Sequence, residues 1–476
     1  MTTLVWFRND LRLADNPALA WACARGEVVP MYVLDEVNVG HWPLGGAGKW
    51  WLHYSLKEFA QNLAGIILKR GDAREIIPAL AQETGATAVC WNRRYDPAGI
   101  ACDRDLKELL RGMDIEVASH KANLLFEPWD VQTGAGDDYK VFTPFWKACM
   151  DKAASIGTPL PAPKVQVPAK LPASDKLDDW GLLPTKPNWA AGWENLWQPG
   201  EQGAQIRLQA FLQEGLHGYA AGRDMPAHNH TSRLSPHLHF GEISPRQVWH
   251  ATQNAMSHDK ALAKDGNKFL AEVGWREFCH HVLYHAPALP EENWRKQFDA
   301  YPWEDDRAAL KAWQRGQTGY PFVDAGMREL WHTGTMHNRV RMVVASFLIK
   351  HLRTHWREGE NWFWDTLLDA DLANNAAGWQ WVAGSGADGA PYFRIFNPIT
   401  QGYKFDPDGV YTRRWLPELA KLPTQYLFSP WEAPAEVLAK AGVKLGETYP
   451  RPIVGHAQAR AAALAGYEIV KTAKGD

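Results

Sequence analysis

The chain of 476 residues is poor in cysteine, carries almost no net charge and has no long apolar run. Its five cysteines (Cys23, Cys90, Cys102, Cys149 and Cys279) are scattered, odd in number and free of any CxxC pair. That excludes a disulfide framework and a cysteine zinc site, and fits a reducing compartment. No stretch reaches transmembrane length and no basic-then-apolar leader follows Met1, so a cytoplasmic protein without membrane contact is expected. Net charge is −3, and residues 1–130 hold 14 Lys/Arg against 17 Asp/Glu. A global basic field is therefore absent, and any contact with nucleic acid must come from a local basic surface. No GxGxxG follows the first apolar run, which excludes the usual dinucleotide-dependent dehydrogenase.

What the chain does have is tryptophan, 25 of them. Most belong in cores, while those at special spacing can carry electrons or stack on bases. The length predicts two or three domains. Residues 1–126 alternate strands near 3–7, 28–34, 65–70, 87–92 and 115–119 with helices near 17–25, 47–64, 73–84 and 98–112. Asn16 followed by Pro17 is a helix start, a capping side chain and a proline at the first helical position. The pattern predicts an α/β domain built on a doubly wound, five-stranded parallel sheet, with ligands beyond the carboxyl ends of its strands. Residues 127–200 hold ten prolines in aperiodic sequence and read as an interdomain linker. From 201 to 476 apolar stripes such as Val343, Val344, Phe347 and Leu348 predict an all-α domain that carries the chemistry.

Four stretches of that helical half stand out. In "HTSRLSPHLHFGEIS" (230–244), Thr231, Ser232, Arg233 and Ser235 precede a helical pattern and offer hydroxyls, amides and a guanidinium to a pyrophosphate; a plain capped helix has the same look. In "EVGWREF", Glu272, Trp275 and Arg276 share one helix face, where a carboxylate can bond a base edge while an indole stacks on it; an amphipathic surface helix is the plain alternative. "MHNRVRM" places Asn338, Arg341 and Met342 on one face, an amide beside a soft apolar contact, or equally a polar face next to core. "DADLANNAAGWQW" gathers Asp369, Asp371, Asn374 and Asn375 before Trp379 and Trp381, suited to a ribityl chain, an isoalloxazine edge or a metal. A metal is the weaker choice, since no His or Cys ligands accompany them, and none is expected.

Taken in order, these motifs resemble those of the photolyase/cryptochrome family from end to end. "LVWFRNDLRLADNPAL", "KVFTPFWKA", "TSRLSPHLHFGEISPRQ", "WREF", "GTMHNRVRM", "WREGE", "DADLANNAAGWQW" and "PYFRIFNPITQGYKFDPDG" all occur in the family's order, and bacterial class I and class III members are the most similar. The resemblance implies a flavoprotein that repairs cyclobutane pyrimidine dimers under blue or near-UV light. It implies FAD held by Tyr219, Thr231, Ser232, Arg233, Leu234, Ser235, Arg276, Asn338, Arg341, Asp369, Asp371 and Asn375, with Asn375 in the position that faces flavin N5. It further implies a lesion pocket of Glu272, Trp275, Asn338, Met342 and Trp381, phosphate contacts from Arg223 and Arg339, and an electron chain of Trp379, Trp356 and Trp303. The expected partner is UV-damaged DNA, double- or single-stranded, and the expected state a monomer.

Two rivals share the resemblance. A (6-4) photolyase has two histidines where this chain has Asn338 and Met342. A cryptochrome photoreceptor usually adds a tail beyond the helical domain, whereas here a last helix is expected to end the chain, and signalling does not require lesion-pocket residues. A light-harvesting antenna is also expected, 5,10-methenyltetrahydrofolate ahead of 8-hydroxy-deazaflavin. "RRYDPAGIACDR" has Ala98 and Gly99 where pterin-binding members carry an acid; Trp42, Trp50 and Trp51 are the candidate walls, and core tryptophans on the second helix are an equal reading.

Overall fold

The computed structural model describes residues 1–63, 65–388 and 393–473. Pro391 and Tyr392 of the "PYFRIFNPITQ" segment lie outside the described residues. Two compact units interleave along the chain. The first holds Met1–Tyr219, Thr231–Pro287 and Leu368–Ala373; the second holds Ala220–His230, Ala288–Leu367 and Asn374–Asp476.

In the first unit, β1 (Thr2–Phe7), β2 (Glu27–Leu34), β3 (Ile67–Arg70), β4 (Ala88–Asn92) and β5 (Glu116–His120) form one sheet in the order β3-β2-β1-β4-β5. Every pairing is parallel. The helices between them are α1 (Pro17–Cys23), α2 (Gly46–Asn62), α3 (Ala73–Thr84) and α4 (Pro97–Arg111). All these elements lie within two residues of the limits the sequence implies. The local causes are visible. Asn16 accepts the Leu19 amide at 3.1 Å ahead of Pro17, and Asp96 accepts the Gly99 amide at 2.8 Å ahead of Pro97. β1 alternates its side chains between two buried faces. Val5 and Phe7 join Leu19, Trp51 and Phe59 on one side, and Leu4 and Trp6 join Ile77, Leu80 and Leu106 on the other.

The crevice expected beyond the strand ends is largely filled by the chain itself. Where the strand order reverses between β1 and β4, Asp10 accepts from the Arg8 amide and from Asn92 Nδ2, both at 2.6 Å, while Arg8 bonds Asp103 at 2.6 Å. Open space survives beside it, a cavity of about 310 Å³ lined among others by Arg93, Arg94, Tyr95, Lys107, Trp129 and Tyr284.

The stretch read as aperiodic linker contains a regular helix, α5 (Phe142–Asp151). Its apolar positions Phe142, Phe145 and Cys149 are buried at helical spacing, a signal that the prolines around it obscure. The second unit is helical, in keeping with the helical pattern read from residue 201 onward.

Candidate functional site

In the first unit, the helix Ala263–His285 buries Phe269, Leu270, Val273 and Phe278, leaving Glu272, Trp275 and Arg276 half-buried. Lys268 Nζ lies 2.9 Å from the Glu272 carboxylate, one turn back. Trp275 stacks on Phe142 of α5 with centroids 3.9 Å apart and planes 10° apart; Phe142 is in turn parallel to Trp146 at 6.3 Å. Gly274 makes this approach possible, since a Cβ there would stand 2.4 Å from the Trp146 ring. The "KVFTPFWKA" segment therefore backs the Trp275 wall, a role the sequence reading did not assign. Arg276 donates to the Asn123 carbonyl at 2.7 Å.

Leu234 is buried, Thr231, Ser232 and Arg233 are half-buried, and Ser235 is exposed at the start of the short helix Ser235–His239. Arg233 has φ of 54°, a left-handed conformation that a non-glycine residue adopts at some cost, and its guanidinium lies 4.5 Å over Trp197. Tyr219 packs edge-on against Phe211 and Phe269. Asp369 is half-buried. Asp371 lies 3.4 Å from His280 Nε2 and 3.9 Å from His239 Nδ1. Burial works against its charge, yet His280 and His239 hold its carboxyl well below the usual carboxylate range. Asp371 is thus a fixed anion with lone pairs to offer.

In the second unit, Asn338 is exposed at the start of the helix Asn338–Ser346, which His337 caps by accepting the Arg339 amide at 3.2 Å. Burial pushes His337 down to about 4, so the ring accepts as a neutral base at neutral pH. Arg341 donates to the Met336 carbonyl at 2.7 Å, and Met342 is half-buried beside Arg339. The two arginines named for phosphate share one carboxylate: Asp224 lies 2.7 Å from Arg339 Nη2 and 3.8 Å from Arg223 Nε.

The helix Leu372–Ala383 carries Asn375, Trp379 and Trp381. Asn375 is buried and donates to the Glu360 carbonyl at 3.0 Å. The Glu360 carboxyl is fully buried, and among the described residues neither oxygen has a hydrogen-bond partner. Burial raises its pKa well above the usual carboxylate range. Trp379 packs on Gly359, where a Cβ would stand 2.0 Å from the ring; Gly359 is one turn along its helix from Trp356. The His355 ring is 5.5 Å from Trp356 and 4.8 Å from Trp303. Trp381 and Trp303 are half-buried. Trp379, Trp356 and Trp303 thus come together in sequence through short contacts inside one unit.

The antenna candidates fare unevenly. Trp50 and Trp51 are 3% and 0% exposed, and both belong to the core over the sheet. Trp51 bonds Glu242 at 2.8 Å and packs against Trp197, His237 and Phe240; Trp50 packs against Tyr54 and Trp193. Rings so enclosed cannot wall a ligand unless that core opens, because close-packed interiors leave no space for one. Trp42 is half-buried.

Two family models match the chain: DNA photolyase over residues 3–164, and the FAD binding domain of DNA photolyase over residues 269–469. The chain is 54% identical to the deoxyribodipyrimidine photo-lyase of Agrobacterium fabrum, over 98% of each chain. It is 40% identical to Cryptochrome-1 of Arabidopsis thaliana over 96% of this chain and 69% of that protein. The crystal structure of a bacterial class III photolyase from Agrobacterium tumefaciens superposes with a TM-score of 0.96 at 53% identity, covering 99% of this chain and 98% of that one. The chain belongs to the DNA photolyase/cryptochrome family.

Proposed function

We propose that the protein repairs cyclobutane pyrimidine dimers in UV-damaged DNA, double- or single-stranded, by light-driven electron transfer from reduced FAD. The carrying observation is the half-buried Trp275, backed by Phe142, with the Glu272 carboxylate one turn away on the same helix face. An aromatic wall beside an acid suits a base flipped out of the duplex, and a dimer already weakly paired costs less to flip. The Agrobacterium relatives, both photolyases, support the same reading.

The residues present fit FAD. The Asp371 anion can accept from ribityl hydroxyls, Asn375 is a neutral buried amide with no acidic proton to give, and the orphaned Glu360 carboxyl beside it marks a polar interior of the kind that holds a cofactor. Thr231, Ser232, Arg233, Leu234, Ser235, Tyr219, Arg276, Asn338, Arg341 and Asp369 complete the proposed set. Bound there in its reduced form, FAD would supply the light-excited one-electron chemistry that cleaves the two inter-base bonds. The protein's part is to hold the lesion. Glu272 bonds the dimer's polar edge, Trp275 and Trp381 enclose its rings, Met342 and Asn338 touch the bases, and Arg223 with Arg339 meets phosphate. Trp379, Trp356 and Trp303 return electrons to an oxidised flavin.

Residues 1–126 are assigned to the antenna, 127–200 to the linker and 201–476 to catalysis. The antenna is a methenyl-folate ahead of a deazaflavin, with Trp42 as its remaining candidate wall. The basic, aromatic-lined cavity after β4 is a second place that an anionic ring compound suits. The protein is assigned to the cytoplasm as a monomer; among the described residues no helix is long and apolar enough to cross a membrane.

A defined thymine dimer in an oligonucleotide, incubated with reduced protein in the dark and under blue light, tests the proposal. Light-dependent recovery of intact thymines is expected. Glu272→Ala should cut it about tenfold or more, the loss of one hydrogen bond from a charged group. Bound, photoreducible flavin with no repair would instead favour a cryptochrome, a reading the Arabidopsis relative keeps in view. Turnover of (6-4) photoproduct would overturn the substrate assignment.

A further inference from the structure

The three tryptophans of the electron chain differ in what their indole N–H groups meet. The Nε1 of Trp379 is buried without an acceptor among the described residues. That of Trp356, whose ring is 0% exposed, donates to Asn293 Oδ1 at 3.0 Å. Trp303 is half-buried. The orientation of the Asn293 amide follows from chemistry. The Trp356 N–H can only donate, so the carbonyl oxygen must turn to it, which leaves Nδ2 to donate to the Asp299 side chain at 2.7 Å. Asn293 is itself buried, which shields the bond from competing water.

The loop carrying Asn293 is tied down by a residue between two tryptophans. Gln380, 0% exposed, donates to the Leu289 and Glu292 carbonyls at 2.6 and 2.7 Å and accepts the Trp294 amide at 2.8 Å. The helix that bears Trp379 therefore also anchors the acceptor of Trp356. His355, between Trp356 and Trp303, is pushed down to about 4 by burial and adds no positive charge at neutral pH.

One-electron oxidation turns an indole into a radical cation whose N–H is a far stronger donor, and hydrogen bonds from charged donors are roughly twice as strong as neutral ones. We propose that Asn293 is a positioning residue for electron transfer, making Trp356 easier to oxidise than Trp379 so that the electron hole moves outward and stays there. The inference rests on the tryptophan-chain reading above. With a photoexcited oxidised flavin as oxidant, Trp379 gives up one electron. Trp356 then passes one electron to Trp379 and becomes the radical cation, its proton remaining on Nε1 in the bond to Asn293. Trp303 passes one electron to Trp356 and releases its own indole proton to water.

The test uses the holoprotein with oxidised FAD. Flash-induced absorption reads the fraction of holes that reach Trp303, and ultraviolet Raman scattering reads the Trp356 N–H bond. Asn293→Leu should shift the indole mode to its unbonded position and lower hole escape about tenfold, the factor one such bond carries. The double variant Asn293→Asp with Asp299→Asn restores an acceptor with the same partners and should return escape to the wild-type fraction or above. Asp299→Asn alone releases the amide's orientation without removing core volume, and should give a smaller fall of the same sign.

Wild-type escape in a folded Asn293→Leu or Asp299→Asn protein whose Raman mode has moved would overturn the proposal. So would a double variant with the bond restored and escape still low. Trp356→Phe separates the two levels: if it photoreduces like wild type, the chain reading itself fails, whatever Asn293 does.

Discussion

A buried arginine of the first unit and a buried lysine and glutamate of the second are treated in opposite ways. In the first, Arg12 is 0% exposed and all five of its N–H donors are used: on the Asp15 carbonyl twice, on Ala122 and Gly241 carbonyls, and on Asn123 Oδ1, at 2.8 to 3.1 Å. Asp15, also fully buried, meets Arg246 and Ser244. In the second unit, Lys350 is equally buried but has one carbonyl, Ala383, at 2.8 Å, and the face of Phe393. Glu360 has no side-chain partner among the described residues. Burial drives both toward their neutral forms, Lys350 well below its usual range and Glu360 well above. The lesson is that a saturated network holds structure while remaining charged, whereas an unsaturated buried group gives up its charge and keeps a free hydrogen-bonding capacity.

Removing a member of the saturated network should do the most damage. Arg12→Met strands four acceptors in the core and is expected to cost about 3–5 kcal/mol, read as a lower urea midpoint at unchanged m-value. A cost below about 1 kcal/mol would erase the contrast between the units. Lys350→Met is expected to be near neutral or stabilising at pH 7, since an amine whose charge burial disfavours, with one bond, gives way to a side chain of similar shape. Its folded pKa is depressed, so whatever Lys350 contributes is present above its ordinary value of 10.5 and lost as pH falls; the variant should gain on wild type from pH 10.5 down to 7.

The smallest effect belongs to Glu360→Gln. A raised folded pKa means that the stability is complete below the ordinary value of 4.5 and is lost as pH rises toward the folded value. Glutamine suffers no such loss, so the variant's midpoint should draw ahead of wild type between pH 4.5 and 8. A gap that stays constant with pH would mean that Glu360 is ionised in the fold.

How much was legible depended on the range of the interactions. The sheet and its helices follow from short apolar runs such as that of β1 and from the cap at Asn16, signals contained within a few residues. The short helix α5 escaped because prolines surround its three buried positions. Among site residues, Glu272, Trp275 and Arg276 were visible as one helix face, but Phe142 and Trp146, which back Trp275, lie more than a hundred positions away and only packing joins them. Trp50 and Trp51 illustrate the reverse. Their flatness suits ligand walls and core alike, and burial decides for core. Asn293 and Gln380 gave no sequence signal, because one amide among many is distinguished only by what it bonds.

The amino-acid order determined the α/β and helical elements, the motif set that marks the family, and which residue types are available for electron transfer and base contact. Those are local or compositional properties, set by side-chain periodicity and by chemistry each residue carries alone. Tertiary structure decided which tryptophans lie near one another and which fill the core over the sheet, which carboxyls keep their charge, and which amide faces an indole. Those depend on distance, desolvation and the partners that remain, and none of the three exists until the chain has folded.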